Sequence, residues 1–175
     1  MDDNEAPLSY ASKKPGWVIR RRCVWGIVLS PLALRNKIRR PPRALVVDRR
    51  YTVGGYFHND LKRAVEEVQL SAMVTHSHPE GKAGAIAVAV AAAIAENRPY
   101  PKENDFLKEV LPFVTDSITK DHIHRATQIS PDALTEAMFT LGTGSEVSAQ
   151  DTVPFCLWSA AHHLDNFEEA LWWIV

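Results

Sequence analysis

The sequence predicts an all-α bundle, and three observations carry that prediction. Apolar residues recur at steps of three and four between residues 60 and 74. An alanine-dense run follows at 83–95, where eight of 13 residues are alanine, the best helix former. Further segments, each bounded by Ser, Pro or Gly, have the length and punctuation of helices, and no stretch reads convincingly as a strand.

Taken in order, residues 1–50 hold 12 Lys and Arg against four acids, a net +8, while 51–175 hold 8 against 17, a net −9. This divides the chain into a basic, poorly ordered leader (1–50) and a helical domain (51–175). The apolar run Cys23–Leu34 contains Pro31 and is too short to span a bilayer. It follows Arg20–Arg22 but leads into RNKIRRPPR rather than a small-residue cleavage site. Two lone cysteines, Cys23 and Cys156, fit a reducing compartment, so a cytoplasmic protein is expected. Basic clusters alone would suit nucleic acid, but no aromatic interleaving or recognition-helix pattern accompanies them, and nucleic-acid binding is disfavoured.

The first helix is expected from about Asp60 to Val74, with Leu61, Ala64/Val65, Val68, Ala72 and Met73 inward and Asn59 or Asp60 as cap. In the second, Ser77 and Glu80 have capping-box spacing and Pro79 falls in the first turn, where a missing N–H does no harm. The alternation in AIAVAVA could be read as a strand, but length and alanine content favour a buried helix with a smooth surface. Helices are expected next at 103–114, 116–127 and 131–140, the last with Ser130 as N-cap, Pro131 first and Gly142 past its end. The glycine-bearing segment 141–155 leads into a helix at about 149–163 with Pro154 in its early turns, and a last amphipathic stretch begins at Asn166.

Three histidine pairs stand out, at 76/78, 122/124 and 162/163, but none has the thiol or carboxylate partners a metal site needs, so no metal ligand is assigned. His122 and His124 read as solvated surface residues, and Asp151 as a cap. Glu66, Glu67, Asp105, Glu168 and Glu169 read as solvated helix faces. No nucleophile elbow, P-loop or dinucleotide fingerprint is present. His76 and His78 differ, because they precede a helix N-terminus, whose dipole and N–H groups favour an anion such as a diphosphate.

LSAMVTHSHPEGKAGAIAVAVAAAIA resembles the central signature of the ADP-ribosylglycohydrolase family. LGTGSEVSAQDTVPFCLWSAAHHLDNFEEALWWIV is similar to that family's glycine loop and the two helices after it, and VGGYFHNDLKRAV to the segment before the signature. The resemblance covers about 53–175. It implies an orthogonal multi-helix bundle and magnesium-dependent hydrolysis of the glycosidic bond between ADP-ribose and an acceptor. It implies substrate contacts from His76, Ser77, His78, Glu80 and Gly81, and from Gly142, Thr143, Gly144 and Ser145.

The family's early Asp-Asp and late Asp-x-Asp-Thr metal elements have no counterpart in context here. The expectation is therefore an incomplete domain that does not bind magnesium and is a truncated, inactive or ADP-ribose-binding fragment. The alternative is a non-catalytic helical module that self-associates through the apolar end Leu171–Val175.

Overall fold

A computed structural model describes residues 53–75, 77–97, 103–146 and 148–164, and among these every regular element is helical. After a helical turn at 53–56 come α1 (Leu61–Thr75), α2 (Pro79–Asn97) and α3 (Glu103–Val110). A 3₁₀ turn (Leu111–Phe113), α4 (Ile118–Ala126), α5 (Leu134–Leu141) and α6 (Ala149–His162) complete the order. The leader 1–50, His76 and the stretch from Asn166 lie outside the described residues. No described helix is long and apolar enough to cross a membrane.

The alanine-rich helix is the axis of the fold. Every residue of α2 from Ala83 to Ile94 is buried, because α1, α3, α4, α6 and the 3₁₀ turn all pack against it. Alanine suits this position for two reasons: it favours helix and lets neighbouring backbones come close on every side. One close approach is at Gly54, where a Cβ would run into the backbone of Ala89. Beyond this contact Asn97 donates to the His58 carbonyl and ties the end of α2 to the turn before α1. Larger side chains, chiefly Trp158, Phe106, Leu107, Ile123 and Leu141, complete the buried core.

Three boundaries and one inward residue differ from the sequence expectation, each for a local reason. Met73 is 59% exposed, since it is turned about 100° from Ala72 on the buried Ala64–Val68–Ala72 stripe. The helix expected over 103–114 stops at Val110 and tightens to 3₁₀ because Pro112 has no N–H for the carbonyl four residues back. The helix expected from Pro131 starts at Leu134. Ser130, Pro131 and Asp132 instead form a turn closed by Ala133 N–H on the Ser130 carbonyl at 3.0 Å, and Ala133 is not helical (φ −94°, ψ 50°). The helix expected over 116–127 begins at Ile118, capped by the Ser117 hydroxyl, which accepts from Lys120 N–H at 3.1 Å.

Candidate functional site

The first turns of α2, α4 and α6 meet at one end of the molecule. On α2, a methyl group at Gly84 would come within 2.9 Å of Ala149 Cβ and 3.3 Å of Val153 on α6, so this glycine sets the helix spacing. Between α2 and α4 the link is Glu80. Its carboxylate accepts from Ile118 N–H (2.9 Å), Thr119 N–H (2.9 Å) and the Thr119 hydroxyl (2.7 Å). Between α4 and α6 it is His122, whose Nδ1 lies 3.1 Å from the Gln150 carbonyl oxygen.

Glu80 therefore does not close a capping box with Ser77; its carboxylate caps a different helix. His78 is the residue before α2, and its Nδ1 lies 3.3 Å from Glu80 N–H. Burial pushes the Glu80 carboxyl up, but the Thr119 hydroxyl, the Thr119 and Ile118 amides and the charge of His78 outweigh it and hold it below its ordinary range. Ser77 and His78 are exposed and Gly81 half-buried at this helix start.

The loop after α5 folds inward on Asp151. Its two glycines take positive φ, 99° at Gly142 and 74° at Gly144, where a side chain is disfavoured. Asp151 Oδ1 accepts from Thr143 N–H at 3.0 Å, Oδ2 from Glu146 N–H at 2.8 Å, and the Asp151 carbonyl from Gly144 N–H at 3.0 Å. So Asp151 is a cap, as expected, but of the preceding loop rather than of its own helix. These loop N–H groups are turned toward protein, and the exposed Thr143 hydroxyl donates to the Ser145 hydroxyl at 3.1 Å.

Beside the loop lies an open pocket of about 620 Å³, lined in part by Gly142, Asp151 and Glu146. His122, Arg125 and Phe139 add basic and aromatic side chains to its lining. His122 and Arg125 follow Ile118 at i+4 and i+7, so the Glu80 latch and both basic side chains share one stripe of α4. Phe139 is 88% exposed beside them, a large apolar surface left to solvent.

His122, expected to be a solvated surface residue, is half-buried and tethered. The signal that could have found it is Pro154: a proline inside α6 has no N–H to return to the carbonyl four residues earlier, which is Gln150. His124 is exposed, as expected. Of the two predicted motifs, the second contributes Gly142 to the pocket wall, while the first stands at the adjoining α2 start. Among the described residues no three His, Cys, Asp or Glu side chains converge to hold a metal ion, so the magnesium that the resemblance implies has no fitting donor set there.

The family described as ADP-ribosylglycohydrolase matches this sequence over residues 44–175. The chain is also similar to an uncharacterized protein of Archaeoglobus fulgidus, 34% identical over 121 residues. That match covers 68% of this chain and 38% of the archaeal protein, so the chain spans well under half of that relative's length. No solved structure gives a significant match.

Proposed function

Since the chain belongs to the ADP-ribosylglycohydrolase family, we propose that it binds the ADP-ribose unit of an ADP-ribosylated substrate at the end where α2, α4 and α6 begin. The observation that carries this reading is the pocket wall itself. Arg125 and His122 stand on one stripe of α4, and the exposed Phe139 ring lines the same pocket as Gly142. An exposed aromatic ring offers a stacking face to a base, and a guanidinium offers paired donors to phosphate oxygens. The Glu146 and Asp151 carboxylates of the pocket suit sugar hydroxyls, with the Gly142–Ser145 loop beside them.

In this reading the helix starts shape the site more than they bind the anion. Glu80 occupies the first amides of α4, and Asp151 those of the loop. Ser77, His78 and Gly81 border the ligand from the α2 side, and Glu80 holds the wall in place. Binding is proposed to need no magnesium, because the described residues offer no cluster of carboxylates for it. Glycosidic hydrolysis is not assigned to these residues. Two cysteines without a disulfide framework are the ground for proposing a cytoplasmic location.

Calorimetric titration with ADP-ribose, with and without magnesium, tests the reading. Saturable binding of equal strength in both is expected, and weaker binding of ribose 5-phosphate. No heat with ADP-ribose, or strong magnesium-dependent turnover of an ADP-ribosylated protein, would overturn it.

A second reading, a self-associating helical module, is favoured by one face of α1. Leu70, Met73 and Val74 follow the i, i+3, i+4 rule and are 61%, 59% and 86% exposed. Light scattering after gel filtration at micromolar concentration decides it: a dimer supports it, and a monomer removes it.

A further inference from the structure

We infer that His122 is a ligand-contacting residue of this pocket, its Nδ1–H held by the Gln150 carbonyl and its Nε2 accepting a hydrogen bond from a ribose hydroxyl. The inference rests on the ADP-ribose reading above and adds a residue that neither sequence motif contains.

Pro154 lies inside α6 and leaves the carbonyl of Gln150 without its helical donor. A buried or half-buried carbonyl needs another donor, and the ring of His122 supplies one at 3.1 Å. Because a carbonyl only accepts, Nδ1 must carry the proton. In the neutral ring the lone pair is then on Nε2, so the tautomer is fixed by the protein. The ring cannot turn away without giving up this bond. It is also held from its own helix, since α4 is pinned at Ile118 and Thr119 by Glu80, one turn earlier on the same stripe.

The surroundings favour a sugar hydroxyl as the Nε2 partner. The charged groups that share the pocket with His122 are Arg125 on its own helix, Glu146 in the loop and Asp151 on α6. Arg125 is the one permanent cation among them, and it answers the diphosphate. An Nε2 acceptor in a pocket that also holds Glu146 and Asp151 is instead matched to hydroxyl donors, and a ribose offers a pair of them.

Substitutions separate the ligand contact from the tether. His122→Asn keeps an amide donor near Nδ1 for Gln150 and removes Nε2. His122→Gln returns an acceptor near the Nε2 position, and His122→Phe removes both groups. The expected result for Asn is unchanged binding stoichiometry with ADP-ribose affinity lower by roughly five- to tenfold, the scale of one lost hydrogen bond. Gln recovers part of that loss. Wild-type affinity in the Asn variant would overturn the contact and leave His122 as a tether alone.

The tautomer has its own test, free of any ligand. At about pH 8, where an ordinary imidazole is neutral, nitrogen-15 NMR of the free protein is expected to show His122 protonated at Nδ1. Pro154→Ala, which restores an N–H for Gln150, should blur that signature. Protonation at Nε2 in the wild-type protein would overturn the inference whatever binds. Absence of ADP-ribose binding with the Nδ1–H form intact would overturn the functional reading and the ligand contact, but not the tether.

Discussion

The Thr119 hydroxyl donates a 2.7 Å hydrogen bond to the carboxylate of Glu80, 39 residues earlier in the chain. Two amides join it, so a single side chain on α2 satisfies the start of α4. Glu80→Ala leaves these donors to water or to nothing and is expected to cost about 1–2 kcal/mol, the scale of a lost helix cap. Chemical denaturation measures it, and Thr119→Val combined with Glu80→Ala should cost less than the sum of the two.

The same bond gives a pH dependence with a definite sign. The folded state holds the Glu80 carboxyl below its ordinary value of 4.5. Its contribution to stability is therefore fully present above that value and is lost as pH falls through the depressed folded one. Denaturation midpoints of wild type and Glu80→Gln followed downward from neutral pH should converge in acid. Curves that stay parallel throughout would show that the carboxylate charge contributes nothing.

Gly142 is the position of the site least open to change. Its φ of 99° excludes an ordinary side chain, and a Cβ there would collide with Asp151. Gly142→Ala is expected to cost roughly 1–3 kcal/mol from backbone strain alone. It should also raise hydrogen exchange at Thr143 and Glu146, whose amides Asp151 holds. Asp151→Ala should expose the same two amides without the strain. Exchange left unchanged in both variants would mean that the loop does not depend on this carboxylate.

What the sequence made legible was local. Ala64, Val68 and Ala72 mark the buried face of α1 by their spacing, Pro79 marks the start of α2, and Gly142 the end of α5. The all-α class follows from such signals, because each depends on neighbours within about one turn. What joins the helices did not show. Glu80 reads equally well as half of a capping box, since nothing near it announces a partner beyond position 115. The start of α5 falls at Leu134 rather than Pro131 because Ser130-Pro131 suits a turn as well as a helix cap. His122 looked like surface because its tether is a backbone carbonyl 28 residues away; only Pro154 hints at it, and it does so without saying which donor will come.

The alanine helix should resist enlargement more than removal of bulk. Ala89 is fully buried and lies under the backbone of Gly54. Ala89→Leu has no space to occupy without moving a helix, and an overpacking cost of roughly 1–3 kcal/mol or more is expected. Glu66→Ala, on the exposed side of α1, is the control and should stay within about 0.5 kcal/mol of wild type. Similar midpoints for both variants would contradict the packing described for α2.

Cys156 is fully buried against the core, and burial pushes its thiol from an ordinary value of 9.0 up to about 12. The thiolate is the reactive form, so Cys156 should resist alkylation by iodoacetamide in the folded protein and react at once in denaturant. Peptide mass mapping reads the modification at Cys156 separately from that at Cys23. The raised value also has a linkage consequence. The stability this group contributes is complete below 9.0 and falls as pH rises toward 12, because the unfolded chain ionises first. Cys156→Ser, whose hydroxyl does not titrate in this range, should therefore lose less stability between those limits than wild type. Rapid labelling of Cys156 under native conditions would mean that α6 opens far more readily than its burial implies.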